Sequence, residues 1–331
     1  MNSASSKSEK ILTNPVAVVL LAITTCFLWG SAIPCIKVGY RVFAIPGNDV
    51  FSKLLFAGTR FFMAGVLLFG VCLFSRISLR LSKKMLGQLL LFGFFQTFLF
   101  YVLFYISLGN ISGTVGSILD SSSIFMSILV AGFFYKEDKI TPLRLLGLIV
   151  GFSGIVFLNL NGGGFGGISL TGEGFMFMAA LIMAFTNVYT KKLTKQINPV
   201  AMTAYQLFFG SLLLMGVGFA GSGGKMLTFT GAGVGLLAYM AFISAAAYSI
   251  WSALLKYNVV GRVSIYRFLN PLFGVVLAYL LLKESMDLFR VAVSCVLVSA
   301  GIVLLNLQGG KKGAALPPAG TPPLDKAKAR R

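Results

Sequence analysis

The chain alternates between long apolar runs and short polar segments. The runs are about twenty residues long, the length that an α-helix needs to cross a hydrocarbon core of about 30 Å. They are too long and too continuous for barrel strands, and a segment in lipid must close its own backbone hydrogen bonds. The pattern therefore predicts an all-α integral membrane protein. Its ten predicted transmembrane helices cover residues 16–39, 54–74, 86–107, 114–134, 144–160, 174–191, 199–220, 233–255, 262–282 and 288–307.

An internal repeat divides the chain into two halves. A shift of 147 residues superimposes three short motifs without a gap, and a shift of 146 places Arg60 on Gln206. The motif pairs are Lys136-Glu137 with Lys283-Glu284, Gly154-Ile155-Val156 with Gly301-Ile302-Val303, and Leu158-Asn159 with Leu305-Asn306. Each half holds five spans, and because five is odd the halves cross the membrane in opposite senses. The sequence therefore predicts two inverted five-helix repeats, an arrangement typical of secondary transporters with a midplane site.

The basic residues between the spans predict the orientation of the chain. With the N-terminus inside, twenty of the 28 Lys and Arg residues lie on the inner side and seven on the outer side. Cytoplasmic loops carry the excess of Lys and Arg, so we expect an inner-membrane protein with both termini in the cytoplasm. The predicted order is a cytoplasmic segment 1–14, a first repeat 15–160, an outer Gly-rich linker 161–172, a second repeat 173–308 and a disordered basic tail 309–331.

Composition removes several classes of function. Hydrophobic residues make up 57% and charged residues 11% of the chain, and a soluble domain carries roughly twice that share of charge. There is no histidine, and the four cysteines lie inside apolar runs without a CxxC pair. We therefore expect no metal site and no cofactor. The net charge of +19 is spread over links and tail, which does not favour binding to nucleic acid.

Motifs that resemble enzyme sites are incomplete. Residues 151–154 match the GxSG of intramembrane serine proteases, but the chain has no histidine to act as the base. The spacing of Gly147 and Gly151 favours close helix packing instead. The Gly-rich segment 162–167 lacks the Lys-Ser/Thr of a phosphate-binding loop. Without a site for ATP, transport must be secondary.

Asp120 and Arg267 are charged residues inside predicted spans, and the 147 shift makes them equivalent. Asp120 costs about 2.5–3.5 kcal/mol in lipid, so it should face protein or water. It is a candidate proton or cationic-group site, or else a buried partner in a network with Ser121 and Ser123. Arg267 is a candidate for binding a substrate carboxylate, or else it snorkels to the inner interface. Their depths differ by about 12 Å, so we expect them to flank a central cavity.

Other polar and amphipathic residues lie in span interiors. They would offer stacking surfaces and hydrogen bonds to a small organic solute, although Tyr and Trp near span ends are also typical of interface belts. The candidate substrate-binding residues, with Asp120, Ser121, Ser123 and Arg267, are Trp29, Gln96, Tyr101, Asn187, Tyr248, Trp251 and Asn270.

Charged residues near span ends have simpler interpretations. Lys37 and Arg60 lie near outer ends of predicted spans, where they would attract anions or, as we expect, snorkel to the interface. Glu137 and Glu284 follow the fourth and ninth spans and are interpreted as structural ties to basic neighbours.

The order of several motifs resembles that of the EamA-like members of the drug/metabolite transporter superfamily. Three of the matching segments are Trp29-Gly30-Ser31-Ala32 with Lys37, Arg60-Phe61-Phe62-Met63-Ala64, and Asn270-Pro271-Leu272-Phe273. The resemblance covers residues 15–307, but the fourth span lacks the family's proline, at Ile124. It implies a ten-helix solute carrier, commonly an exporter driven by a proton or solute gradient.

The leading hypothesis is therefore a secondary transporter of a small organic metabolite, such as an amino acid or nucleobase, working by alternating access. Protons are candidate coupling ions, and Asp120 is the candidate coupling site. The alternative is an integral-membrane enzyme or lipid-processing protein. That alternative requires catalytic polar residues gathered at one interface, and the sequence contains no such cluster.

Overall fold

The computed structural model describes residues 9–108, 110–111, 113–135, 140–158, 169–224, 226–282 and 287–307. In these segments the chain is all helical and contains no strand, which confirms the predicted all-α class. The helices, labelled in chain order, are α1 (Pro15–Val42), α2 (Val50–Phe74), α3 (Lys83–Gly93, Phe94–Leu99 and Phe100–Leu108), α4 (Gly113–Phe134), α5 (Pro142–Leu158), α6 (Leu170–Gly174 and Phe175–Leu193), α7 (Pro199–Gly221), α8 (Gly231–Tyr257), α9 (Val260–Ser264, Ile265–Phe268 and Leu269–Leu282) and α10 (Leu288–Leu307).

Each predicted span coincides with one of these helices to within four residues at either end. Over the described part of the chain, seven helices are long and apolar enough to cross a membrane. The remaining three, α4, α5 and α10, contribute the shorter apolar stretches Leu119–Phe134, Pro142–Leu158 and Leu288–Leu304. The protein therefore has the helices of a multi-pass membrane protein.

Asn-Pro pairs begin two of the helices. The side chain of Asn14 accepts hydrogen bonds from the backbone N–H groups of Val16 and Ala17, at 3.0 and 3.2 Å. Asn198 accepts one from Val200 at 2.9 Å. The proline that follows each asparagine stands at the first helical position, where its missing N–H costs nothing. These caps fix the starts of α1 and α7.

Glycines allow two helix pairs to pack closely. A Cβ atom added at Gly218 of α7 would lie 2.5 Å from the backbone nitrogen of Leu55 in α2. One added at Gly301 of α10 would lie 2.6 Å from the carbonyl oxygen of Gly147 and 2.7 Å from the nitrogen of Gly151, both in α5. Small residues let membrane helices approach to backbone contact. Gly147 and Gly151 therefore have the predicted packing role.

Two hydrophobic clusters meet at α1. One gathers buried residues of α1, α4, α8 and α9, including Ile128, Trp251 and Phe268. The other joins α2, α7 and α8 around Phe61. Trp29 packs against both clusters, so its side chain lies where they join.

Candidate functional site

Aromatic side chains of α1, α3 and α8 form the centre of the candidate site. The ring of Trp29 lies 5.5 Å from that of Tyr248 and 5.3 Å from that of Trp251, both edge-on. The hydroxyl oxygens of Tyr101 and Tyr248 are 3.0 Å apart and share a hydrogen bond. The ring of Phe61 lies 4.6 Å from Tyr101. Four of the predicted binding residues are therefore neighbours, and their rings supply flat surfaces with hydroxyl groups.

Asn187 ties three helices together beside this aromatic centre. Its Nδ2 donates to Ser127 Oγ of α4 at 3.1 Å. The indole Nε1 of Trp251 donates to its Oδ1 at 3.3 Å. Asn187 is 1% exposed, so its amide is already occupied by protein groups. This geometry orients Trp251, which is a positioning role for Asn187.

Asp120 and Arg267 interact electrostatically but do not form an ion pair. Asp120 is half-buried, and the positive charge of Arg267 acts on it electrostatically. The described side chains include no ion pair between the two, which agrees with their predicted difference in depth. Arg267 is only 8% exposed, and its Nε and Nη1 are buried without a hydrogen-bond partner. The snorkelling alternative for Arg267 is therefore wrong.

Arg60 belongs to the same centre, which the sequence analysis did not predict. It is 5% exposed, and its guanidinium lies 4.2 Å from the centre of the Phe61 ring. The interpretation of Arg60 as a snorkelling residue is wrong because α2 begins at Val50, four residues before the predicted start. Arg60 is ten residues into the helix, about 15 Å from its end at 1.5 Å per residue, and so close to mid-depth.

Four tyrosines lie within electrostatic reach of the guanidinium of Arg60. It acts electrostatically on the hydroxyl groups of Tyr40, Tyr101, Tyr105 and Tyr248. Tyr40 and Tyr105 are hydrogen-bonded to each other. The amphipathic tyrosines of α1, α3 and α8 therefore connect Arg60 with the Asp120–Arg267 side of the site. The sequence indicates the interior tyrosines but not the depth of Arg60, because the apolar run predicts a helix start at residue 54.

The remaining predicted residues are buried polar groups. Gln96 is 3% exposed and lies in the π-helical segment Phe94–Leu99. Its Oε1, the Oγ of Ser123 and the Oδ1 of Asn270 are buried without a hydrogen-bond partner, and Ser121 is 5% exposed. Buried polar atoms in this state are costly, and a solute or ordered water is the usual partner. Glu137 and Glu284 lie outside the described residues.

Two of the candidate residues lie in helical segments that are not regular α-helix. The π-helical segment of α3 contains Gln96, and the 3-10 segment Ile265–Phe268 of α9 contains Arg267. Pro271 follows in the first turn of Leu269–Leu282 and has no N–H to donate to the carbonyl of residue 267. The irregular segments are local breaks in the α-helical pattern, which occur frequently at functional sites.

Two apolar grooves lie elsewhere, on α7. One, of about 570 Å³, is lined by residues of α3 and α7 such as Leu90 and Leu212, and the other, of about 300 Å³, includes Met215 and Phe219. Leu90 and Leu212 are each 45% exposed. None of the candidate residues lines either groove. These grooves face the lipid side of the bundle and suit acyl chains more than a polar solute.

Comparison with known proteins assigns the class. The model of the EamA-like transporter family matches twice, over residues 16–160 and 170–307. The chain belongs to the EamA-like transporter family and is a membrane transporter of that type. Among solved structures, one protein crystal structure superimposes with a TM-score of 0.73 and 15% identity, covering 89% of this chain and 98% of that chain. That likeness shows the fold alone.

Similar curated proteins are also named as transporters. The uncharacterized transporter YvbV of Bacillus subtilis is 28% identical over 79% of this chain and 85% of its own length. An uncharacterized transporter of Archaeoglobus fulgidus is 24% identical over 86% of this chain and 96% of its own length. The S-adenosylmethionine/S-adenosylhomocysteine transporter of Chlamydia muridarum is 24% identical, over 60% of this chain and 61% of its own length.

Proposed function

We propose that the protein is a secondary transporter that moves a small organic metabolite across a bacterial-type inner membrane by alternating access, in the export direction. The observation that carries the proposal is the pair Tyr101–Tyr248. These residues are 147 positions apart, the shift of the internal repeat, and their hydroxyl groups are 3.0 Å apart. Equivalent residues of an inverted repeat can meet only near the pseudo-two-fold axis, which lies in the membrane plane. The pair therefore supports a site at the midplane.

The proposed architecture is ten transmembrane helices in two inverted repeats, residues 15–160 and 173–308. The packing supports it, because helices that the repeat makes equivalent contact each other: α2 contacts α7, and α5 contacts α10. The repeat also makes α1 equivalent to α6 and α9 equivalent to α4. The contact between α1 and α9 and the corresponding contact between α6 and α4 are both present. The rings of Phe62 and Phe208, 146 positions apart, lie 5.4 Å from each other. The two matches of the family model fall on the same halves.

The proposed site combines the aromatic centre with the interior charges. Trp29, Tyr101 and Tyr248 would stack against the solute. Asp120 would bind the coupling proton, and Arg267 would bind an acidic group of the solute through its planar fork. The supporting polar residues are Gln96, Ser121, Ser123, Asn187, Trp251 and Asn270.

Alternating access requires the two halves to move around this site. The proposed motion is a rocking of the two five-helix halves, with the breaks in α3 and α9 as the places where helices bend. A gradient supplies the energy, since the sequence contains no phosphate-binding loop. The inner-membrane location and cytoplasmic termini follow from the distribution of Lys and Arg.

A transport assay with a chemically broad panel tests the proposal. The purified protein is first screened for thermal stabilisation by amino acids, nucleobases, polyamines, sugars and, because of the Chlamydia muridarum relative, S-adenosylhomocysteine. Ligands that bind only the native state raise its stability by mass action. Compounds that stabilise it are then tested for counterflow in proteoliposomes. Binding without any counterflow would contradict the transport proposal and favour a membrane enzyme.

A further inference from the structure

The guanidinium of Arg60 is buried with unused hydrogen-bond donors. Its Nε and Nη1 atoms have no hydrogen-bond partner, and the side chain is 5% exposed. The contact with Phe61 offsets part of the cost of desolvation, but a ring face cannot satisfy the planar fork of N–H donors. A group that accepts two parallel hydrogen bonds, one from Nη2 and one from Nε or Nη1, would supply a partner for one of these unused donors.

The charges at mid-depth do not balance. Arg60 and Arg267 contribute two positive charges, and Asp120 contributes one negative charge. The other acidic residues in the described part of the chain lie at or before helix starts, where Asp49 caps α2 and Asp287 pairs with Arg290 at 3.1 Å. An uncompensated charge away from water is unfavourable. With Asp120 ionised, the described residues at mid-depth therefore carry an excess of one positive charge.

A solute with one negative charge fits this excess. A zwitterion would leave the net positive charge unchanged, a cation would increase it, and a dianion would make the site negative. A carboxylate carries one charge and matches the fork of arginine with two parallel hydrogen bonds. The charge count thus favours a monocarboxylate over a phosphate monoester.

The surroundings of Arg60 also limit the shape of the solute. Phe61 and Tyr101 place their ring centres 4.6 Å apart beside the guanidinium, and Trp29 lies 5.5 Å from Tyr248 on the far side of the tyrosine pair. Flat apolar rings with a few polar atoms suit a planar apolar body. An aromatic body attached to a carboxylate would use both the rings and the fork.

We infer that the solute is a small organic monoanion with a planar apolar body, and that its carboxylate binds Arg60. The inference rests on the proposed transport function, assigns the carboxylate of the solute to Arg60 in place of Arg267, and adds the chemical class of the solute. Arg60 is then a residue that determines specificity, in a position that is neutral in the other half of the repeat, where Gln206 stands.

Three probes that differ in charge test this inference. They are 3-phenylpropanoate, its neutral amide 3-phenylpropanamide, and the zwitterion phenylalanine. Binding is measured by titration calorimetry on the full chain in nanodiscs, with wild type, Arg60→Gln, Arg60→Lys and the control Arg41→Gln. Arg41 is exposed at the end of α1, so its substitution removes the same charge outside the site.

The wild type is expected to bind the carboxylate at least about tenfold more tightly than the amide or the zwitterion. Arg60→Gln should remove this preference, Arg60→Lys should keep part of it because lysine lacks the planar fork, and Arg41→Gln should keep all of it. The ligand-free Arg60→Gln protein should melt no lower than wild type, since it loses an unpaired buried charge. A lower melting temperature would mean that a protein group already satisfies Arg60, which would overturn the inference.

Equal binding of the three probes by the wild type, or an unchanged preference in Arg60→Gln, would also overturn it. These results leave the transport proposal intact if counterflow of any solute is observed. Absence of counterflow for every stabilising compound contradicts the transport proposal itself, whatever Arg60 binds.

Discussion

Asp120 and Arg267 illustrate how one pair of equivalent positions can hold opposite charges. The proposed repeat makes α4 and α9 equivalent, and each residue lies seven positions after the helix start, at Gly113 or Val260. The short side chain of Asp120 cannot reach the interface, and Arg267 is held away from it by burial. The two residues therefore interact across the site, and their separate roles can be distinguished by substitution.

We expect Asp120→Asn to abolish gradient-driven accumulation and to leave downhill exchange largely intact. Asparagine keeps the size of the side chain and resembles the protonated carboxyl in having one acceptor oxygen and a donor, but it cannot exchange a proton. Proteoliposomes with and without an imposed pH gradient provide the two measurements. Asn187→Asp added to Asp120→Asn is a useful comparison. It returns an acid to the protein at a position bonded to Ser127 and Trp251, and it should not restore proton coupling. Accumulation by Asp120→Asn at the wild-type level would exclude Asp120 as the coupling residue.

The stability of the charge pair gives a second prediction. Asp120→Asn leaves two buried positive charges without an opposite charge, whereas Arg267→Gln leaves one charge of each sign, so Asp120→Asn should lower stability more. Losing one partner of a buried charge typically costs about 3–5 kcal/mol, and less where solvent reaches the site. The double variant should recover most of the loss, as measured by melting temperature on all four proteins. Additive losses in the double variant would show that the two charges do not interact.

Burial determines how far the arrangement of the candidate site could be anticipated from the sequence. The grouping of Trp29, Tyr101, Tyr248 and Trp251 could be anticipated, because large amphipathic residues in the middle of spans tend to face protein. The position of Arg60 could not, because it depends on the four extra residues at the start of α2 that the Asp49 cap adds. A change of four residues shifts a side chain by about 6 Å in depth, which separates an interface arginine from a central one.

At the scale of the helices, glycines determine how closely two helices can pack. The α5–α10 crossing allows no Cβ atom at Gly301, where the backbone of Gly147 and Gly151 is within 2.8 Å of the Cβ position. At Gly70 of α2, apart from the adjoining residues and the backbone of its own helix, no atom lies within 4 Å of the Cβ position. Both glycines lie within helices, so a substitution by alanine changes helix propensity equally at the two sites. Any difference in stability between the two variants then reports the packing at Gly301.

Gly301→Ala should therefore destabilise the protein, whereas Gly70→Ala should be neutral or slightly stabilising. In a helix interior alanine is favoured over glycine by about 0.5–1 kcal/mol, and this gain is expected at both sites. At Gly301 the overlap with backbone atoms should exceed it and force the helices apart. Chemical denaturation in mixed micelles measures both variants against wild type. Equal stability of the two variants would contradict the close crossing.

The break in α9 gives a prediction for Pro271. Pro271→Ala restores an N–H that can bond to the carbonyl of residue 267 and so extend the regular helix through Ile265–Phe268. We expect the variant to remain folded and to transport more slowly, because a continuous helix resists bending. Single-turnover transport rates at saturating solute test this. Unchanged rates would place the bending elsewhere, for example at the π-helical segment of α3.

At the scale of the whole molecule, hydropathy was the most reliable information in the sequence. A hydrocarbon core of fixed thickness limits the length of a span, and the helices α1 to α10 of the described segments begin and end within four residues of the predicted bounds. The contacts between helices could be anticipated only through the repeat, because lipid-facing and protein-facing surfaces are equally apolar. Leu90 and Leu212 on the lipid side and Leu207 in the core have the same residue type.

Orientation is the last property to test, and the structure supplies well-placed positions for it. Gly47 is exposed in the link between α1 and α2, and Ser78 is exposed in the link between α2 and α3. The excess of Lys and Arg predicts that position 47 is outside and position 78 inside.

In a background that lacks the four native cysteines, a membrane-impermeant maleimide should label Gly47→Cys in intact cells and Ser78→Cys only after lysis. Removing Cys295 is essential, since it is exposed, whereas the other three cysteines are buried. Because consecutive links must lie on opposite sides of the membrane, the two positions serve as controls for each other. Labelling of Ser78→Cys but not Gly47→Cys in intact cells would invert the whole topology, and with it the proposed direction of export.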